Sequence, residues 1–406
     1  MKGLLDGIRV VELTSWIFGP LAGMMLADLG ADVIKIEAPD GGDPARGVRW
    51  MMGSVDCAMP GDRNALVECC NRNKRSVSLN LKHERGRAAM FRLLENADVF
   101  LHNFRAGVPE RLGLGYEELS ARFPQLIYAA ASGYGPEGPE AGRPALDYVG
   151  QARSGLMWGP GHPGDPPYYN TGGTADTVGA IMLAFGVVAA IAGRNELGHG
   201  QKVDVSHLGA AMWLQNWSIG VSQLMHLPEW PRFDRGNAGN PLWNHYQCGD
   251  GGWIALALIQ ADRYWVDFVE AMGLPELLAD ERFHDLDSRR EHNKALIAIL
   301  DARFRAEPRS YWEARFRRYP DFMWERIQKV TDLPGDPQAL ANNYLVPYDY
   351  PGAGEVYLLN FPVTFSETPS QIRKVAPLAG EDTFDVLLAA GFGEEEIADM
   401  AVKGVI

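Results

Sequence analysis

Asp176 closes the Gly-rich run Thr171-Gly-Gly-Thr-Ala-Asp176-Thr-Val-Gly179, and an apolar segment from Val178 to Ala192 follows at once. A carboxylate placed there has two uses. It can cap the helix by accepting the N–H groups of the first turn. It can also act as a nucleophile, because the helix dipole favours its ionised form and an ionised carboxylate can attack an activated carbonyl. The two uses are compatible, and the residues alone leave both open. Acyl chemistry also needs N–H donors for a developing oxyanion. Gly172 and Gly173 are candidates for supplying them, as are Gly236 and Gly239 in Gly236-Asn-Ala-Gly239, whose other reading is a surface turn.

The elements around this carboxylate read as α/β. Gly7–Leu13 is a short, β-branched run with the character of a buried strand. Gly19–Leu29 has helical spacing of Leu21, Met24, Met25 and Leu26, and Ala31–Ile36 is a second strand. The βαβ pattern continues with strands at 76–81, 98–103 and 126–131 and helices at 84–95 and 116–123, which predicts a parallel, Rossmann-like sheet over residues 1–135. No G-x-G-x-x-G follows the first strand, so an ordinary dinucleotide enzyme is disfavoured. Asn103 and Phe104 fall at a strand's carboxyl end, where such sheets bind ligands. Further on, the pattern predicts a strand at 202–205, a strand at 253–258 and a helix at 262–272. Helical segments are expected at 291–305 and 310–333, strand and turn at 343–365, and two short helices at 383–391 and 394–403.

The chain has 406 residues and a formal net charge of −14. That size predicts two domains, or one with a large insertion, and that charge argues against nucleic acid as a partner. It does not exclude a small anion held by a local cluster of Arg and Lys. Cys57, Cys69, Cys70 and Cys248 lack metal-site spacing, so no metal is expected and a reducing, cytoplasmic setting is the simplest reading. Met1-Lys-Gly-Leu-Leu-Asp6 puts an acid where the apolar run of a signal peptide would fall, so no export signal is expected. Val178–Ala192 is shorter than the ~20 residues of a membrane span, so it is read as a core helix, with no membrane partner.

The chain resembles the family III CoA-transferases. The resemblance rests on Leu5-Asp-Gly-Ile-Arg-Val-Val-Glu-Leu13, Gly19-Pro20, Leu26–Glu37, Gly42-Asp43, Asn73-Lys-Arg75, Asn103-Phe104, Gly133-Tyr-Gly-Pro136, Gly200-Gln201 and Gly380-Glu381 with Thr383. Each piece is weak alone, but together they keep the family's order and spacing. The resemblance implies that Asp176 is the covalent nucleophile. It implies a Rossmann-like large domain holding both chain ends (1–212 and 341–406), a smaller α+β domain (213–340 with its linker), and an interlocked dimer. A homodimer is expected, or a heterodimer with a similar chain. The substrates implied are a coenzyme A thioester and a free carboxylic acid, with no permanent cofactor. CoA's phosphates need a basic handle, and Asn73, Lys74, Arg75, Asn103, Phe104, Arg105 and Arg111 match the family's CoA-contacting segments. Phe104 is a candidate to flank the adenine, and Gly236 and Gly239 fall roughly where the family has a mobile Gly-rich loop over the site, which implies an oxyanion or lid loop there.

Two departures bear on the acid. The formyl-CoA transferase branch has Gln where this chain has Ile17, and Arg where it has Ala38. Small polar acids are therefore disfavoured. Trp213, Trp217, Trp230, Trp243, Trp253 and Trp265 could line an apolar acyl pocket or pack a core, and they tilt the reading toward a hydrophobic or aromatic acid. A rival within the fold, an α-methylacyl-CoA racemase, needs a His immediately before Asp147. That position is Leu146, so transfer ranks above racemisation, and Asp147 is read as structural. A non-catalytic CoA-binding subunit is the remaining alternative.

Overall fold

The computed structural model describes residues 3–406. The chain divides into two compact units. The first takes the sequence up to Trp158, Tyr169–Pro228 and Pro337–Ile406; the second takes Gly159–Tyr168 and Glu229–Asp336. Residues 213–228, expected as the linker ahead of the small domain, fall in the first unit, and the second unit resumes at Glu229.

The first unit is built on six strands: β1 (Arg9–Leu13), β2 (Asp32–Glu37), β3 (Arg75–Ser78), β4 (Val99–His102), β5 (Ile127–Ser132) and β6 (Lys202–Ser206). Every pairing is parallel, and the order across the sheet is β6-β5-β4-β1-β2-β3. This is the doubly wound arrangement, with its switch point between β1 and β4. Helix α1 (Phe18–Asp28) crosses from β1 to β2. Helices α2 (Ala65–Asn71), α3 (Glu84–Leu94), α4 (Tyr116–Arg122) and α5 (Asp147–Ser154) follow. Helix α6 (Thr174–Leu197) precedes β6, and α7 (His207–Leu214) and α8 (Asn216–Leu224) come after it.

Both sheet faces are covered. Val10, Val33, Leu101 and Ala129 pack with Leu26 of α1 and Ala180, Leu183 and Val187 of α6. Val11, Ile34, Phe100 and Tyr128 pack with α3 and with the C-terminal helices α12 (Thr383–Ala389) and α13 (Glu394–Val402). The chain end is tied to the edge strand: Ser76 N–H donates to Asp382 (2.8 Å) and Ser78 N–H to Thr383 Oγ1 (2.9 Å). Helix α6 has 24 residues where 15 were expected, so by length and composition it could cross a membrane. One of its faces is packed in this core.

The second unit has its own core. Strands β7 (Trp243–Gln247), β8 (Trp253–Ala257) and β9 (Trp324–Arg326) form an antiparallel sheet. Against it pack α9 (Ala261–Met272), α10 (Asn293–Arg305) and α11 (Arg309–Phe316), with Tyr246 stacked on Phe304 at 4.8 Å. The helix expected over 310–333 ends at Phe316. Pro320 cannot continue it, and Trp324–Arg326 pairs as an edge strand instead. The strand-and-turn segment 343–365 forms a hairpin, β10 (Leu345–Tyr350) and β11 (Gly354–Leu359), in the first unit.

Beneath the switch point lies a cluster of buried ions. Lys35 of β2 donates to Thr14 O (2.8 Å) and meets Asp43 Oδ2 (3.0 Å) and Glu12 (3.7 Å). Lys74 donates to Glu12 Oε1 (2.7 Å), Pro20 O (2.6 Å) and Asn71 Oδ1 (2.9 Å). Burial opposes the charge of Lys35, but Asp43, Glu12 and Glu37 outweigh it and hold its pKa above the usual lysine value. Burial wins at Lys74 and brings it down to about 8. Replacing Lys35 by Met should lower the unfolding free energy by about 3–5 kcal/mol, because Asp43 and Glu12 would lose a buried counter-ion. Urea unfolding monitored by tryptophan fluorescence checks this.

Candidate active site

Asp147 opens α5 and does the capping at the start of α6. Its Oδ1 accepts the N–H groups of Ala175 (2.7 Å) and Asp176 (3.1 Å), while Oδ2 accepts from Tyr169 OH (2.7 Å) and Gln151 Nε2 (2.8 Å). The cap position itself is Gly173, at φ +67 with no side-chain bond. A residue with a Cβ is disfavoured in that left-handed conformation. Asp176 is therefore the third residue of the helix. This corrects the simple cap reading: the first-turn amides are already held by another carboxylate, and the Asp176 side chain is released for something else.

That side chain is bonded to His207. Asp176 Oδ1 lies 2.7 Å from Nε2, and both residues are buried. An ionised carboxylate only accepts hydrogen bonds, so Nε2 carries the hydrogen. Among the described residues, no protein donor bonds Oδ2. Burial raises the pKa of Asp176, the Asp147 charge adds to the rise, and the His207 hydrogen bond opposes it, leaving the group above its ordinary value of 3.8. His207 was missed in the sequence. It begins α7 directly after β6, at the carboxyl end of a parallel strand, and that position was the available signal.

Asp176 and His207 open on a cavity of about 570 Å³ at the carboxyl ends of β1, β4 and β5. Its walls include Trp16, Phe18, Asn103, Phe104, Arg105, Leu146, Tyr148 and Val149. The loop after β1 is clamped from two sides. Ser15 N–H donates to Asn103 Oδ1 (3.0 Å) and Asn103 Nδ2 to Ser15 O (2.7 Å), while Trp16 N–H donates to Asp43 (3.1 Å). Trp16 is held at φ +66, a strained conformation for a bulky residue. His102 accepts Phe104 N–H (3.3 Å), and burial brings its pKa down to about 3.

The expected basic handle is divided. Arg105 is exposed on the cavity wall, and the second cation there is Arg143, paired with Glu140 at 2.6 Å. Arg111 is exposed on the short turn after this loop and is not a lining residue. Asn73, Lys74 and Arg75 are elsewhere. Asn73 is buried and bonded to Asp28 and Gln371 O (both 2.7 Å), and Lys74 is wholly buried in the ion cluster. Arg75 starts β3 and pairs with Asp32 at the start of β2 (2.6 Å). In a parallel sheet that is the edge opposite the cavity. Among these three the positive charges serve the fold, which corrects their reading as a phosphate handle. Gly172 and Gly173 adjoin Asp176 without lining the cavity, and Gly236 sits in a 3-10 turn of the second unit, with Gly239 just after it. None of the six tryptophans from 213 to 265 lines the cavity; Trp265 packs in the second unit's core under Arg289. The tryptophan at the site is Trp16.

The site is a cavity at the switch point of a doubly wound sheet, with a buried carboxylate bonded to an imidazole at its edge, and comparison with known proteins gives its family. The chain belongs to CoA-transferase family III, which it matches over residues 5–383. It is 34% identical to an (R)-2-hydroxy-4-methylpentanoate CoA-transferase of Clostridioides difficile, covering 99% of each chain. It is 31% identical to a cinnamoyl-CoA:phenyllactate CoA-transferase of Clostridium sporogenes, covering 98% of this chain and 96% of the relative. It is also 31% identical to a succinyl-CoA–D-citramalate CoA-transferase of Chloroflexus aurantiacus, over 99% and 98%. The crystal structure of a CAIB/BAIF family protein from Brucella suis matches with a TM-score of 0.85 at 29% identity, over 96% of this chain and all of that one. The chain is thus a CoA-transferase, and its substrates are a CoA thioester and a carboxylate.

Asp147→Ala should destabilise the protein by about 1–3 kcal/mol, since two helix amides and two side-chain donors lose their acceptor. Thermal unfolding checks it. Gly150→Ala tests how the imidazole is seated, because a Cβ there would lie 2.7 Å from His207 Cβ. Exchange activity should fall with this substitution, and the thermal midpoint should fall with it, since overpacking costs about 1–3 kcal/mol.

Proposed function

We propose that the enzyme moves CoA between carboxylic acids through covalent intermediates on Asp176. The observation that carries this is the asymmetry of its carboxylate: Oδ1 is bonded to His207, and among the described residues Oδ2 meets no protein donor at the edge of the cavity. Oδ2 attacks the carbonyl of the donor acyl-CoA and expels CoA thiolate, leaving a mixed anhydride. The thiolate then attacks Cγ of Asp176, which releases the donor acid and leaves an aspartyl-CoA thioester. The acceptor acid reverses both steps. In this reading Arg105 meets a CoA phosphate and Phe104 flanks the adenine, supported by both side chains lining the cavity.

We assign the acid as hydrophobic or aromatic. Trp16, Phe18, Leu146, Tyr148 and Val149 dominate the walls near Asp176, and the cavity's two arginines are Arg105 and Arg143. A second carboxylate on the acid would need a dedicated cation. Two relatives act on branched or aromatic 2-hydroxy acids by name, in keeping with this, although a third acts on citramalate. Racemisation fits less well. Leu146 stands where its His would be, and the His present is bonded to the carboxylate itself.

We further propose that two chains pair as the family resemblance implies. Phe185 of α6, Trp217 and Leu224 of α8 are 67%, 69% and 80% exposed in the single chain, and a second copy or a similar chain would cover them. A cytoplasmic location is part of the same reading, supported by four unpaired cysteines.

Incubation with acyl-CoA and hydroxylamine should modify Asp176 and abolish activity in the wild type. Asp176→Ala should bind CoA but lose exchange by at least ~10⁴-fold, as when a covalent nucleophile is removed; retained exchange would sink the assignment. The pH profile follows from the raised pKa. Activity needs the ionised carboxylate, so kcat/KM should fall as pH drops through a value above 3.8. That limb should move to higher pH in His207→Leu, which loses the bond favouring ionisation.

A further inference from the structure

We infer that His207 is a catalytic residue of the steps that occur at the aspartyl carbonyl: its Nε2–H stabilises the oxyanion that forms on Oδ1 whenever Cγ of Asp176 is attacked. The inference rests on the nucleophile reading of Asp176 and adds a second group to it.

The geometry separates the two carboxylate oxygens. Oδ2 becomes the bridging oxygen of the anhydride. Oδ1 becomes the carbonyl oxygen of both the anhydride and the thioester, and it already lies 2.7 Å from His207 Nε2. When thiolate sulfur adds to Cγ, the carbonyl π pair moves onto Oδ1. Collapse re-forms the Cγ–Oδ1 double bond, breaks the Cγ–Oδ2 bond and releases the donor carboxylate with Oδ2. Attack by the acceptor carboxylate on the thioester follows the same course, with thiolate leaving. No proton changes hands, so Nε2–H stays a donor throughout. A neutral carbonyl is a weak acceptor and an oxyanion a strong one, so the bond tightens in the transition state, where it raises the rate.

The imidazole is held for this task by packing. Its ring centroid is 4.8 Å from that of Phe18, and Gly150 leaves room for it where any side chain would collide. Ser206 Oγ accepts Gly209 N–H (3.0 Å) and so caps the helix that His207 begins. The other ring nitrogen, Nδ1, is buried with no partner among the described residues, so there the ring's hydrogen bonding is spent on Asp176 alone. Gly172 and Gly173 adjoin Asp176 without lining the cavity, whereas His207 Nε2 is already seated on a reacting atom.

The test is a single turnover of enzyme with acyl-CoA and no acceptor, quenched and read by intact mass for the aspartyl-CoA adduct. His207→Leu fills the space without a donor, and His207→Gln keeps an amide donor of similar reach. Adduct formation should slow roughly 10²–10³-fold in the Leu variant, as for loss of one oxyanion donor, with KM for acyl-CoA changed by less than about twofold. The Gln variant should recover about tenfold or more of that loss. If the Leu variant does not fold, Asn replaces it, since its shorter arm withdraws the donor, and the same ordering against Gln is expected. Equal adduct rates in wild type and the donor-less variant overturn the role of His207 alone, as do equally slow Leu and Gln variants. No adduct on Asp176 in the wild type overturns the nucleophile reading and this role with it.

Discussion

The Asp147 carboxylate is the interaction on which the site depends. It meets two first-turn amides of α6 with one oxygen and the Tyr169 and Gln151 side chains with the other. Four donors on one buried anion fix both the start of α6 and the approach of α5. Without it, the amides of Ala175 and Asp176 would look to the nearest carboxylate, which is that of Asp176 itself. A helix N-terminus that ties up its own first-turn carboxylate has a stable cap and no nucleophile. Moving the capping task to a different segment separates the two uses that the Gly-rich run leaves undecided.

A second constraint works from below. The loop after β1 must stay open where the sheet diverges between β1 and β4, and its conformation costs energy at Trp16. Asp43 holds the Trp16 amide and is itself held by Lys35, which is buried with Glu12 and Lys74. Buried charges are weak evidence of stability, since desolvation offsets most of the Coulomb gain. Their value here lies in position, because each ion has few places where its partners fit. Asn103 braces the same loop from β4, so the walls of the cavity are set by polar groups whose own contacts are satisfied elsewhere.

Much of this was legible in the sequence. The short β-branched runs before and after Gly19–Leu29 led to the parallel sheet, and Asn103 and Phe104 fell at a strand's carboxyl end because strand polarity alone puts them there. What failed did so for physical reasons. Asn73, Lys74 and Arg75 look like a phosphate handle in one dimension, but a basic residue before a parallel strand faces the far edge unless its side chain is buried, as that of Lys74 is. The tryptophans from 213 to 265 are prominent in composition, and composition carries no direction. His207 had only its position after β6 to mark it, because its partner is 31 residues away and the bond depends on how α6 and α7 meet. Pro320 was a legible break in a segment whose charge pattern otherwise read as helix.

The electrostatics of Asp176 are a compromise between basicity and charge. A carboxylate stabilised too well would be ionised at any pH yet a poor nucleophile, and one buried without a donor would be protonated and inert. Burial and the nearby Asp147 push its pKa up, and His207 pulls it back. The donor bond sits on one oxygen only, so the other keeps its lone pairs for attack. The same division suits the later steps. Once Oδ2 carries an acyl group, the carboxylate charge is gone and the repulsion from Asp147 with it. When Cγ is attacked, charge returns on Oδ1, the oxygen that already has a donor. On the proposed route, charge on this residue appears alternately on two oxygens, one facing the cavity and one bonded to His207 Nε2. A route arranged this way makes few demands on the rest of the acid, so in the reading proposed here apolar walls would select the acyl group without disturbing the chemistry.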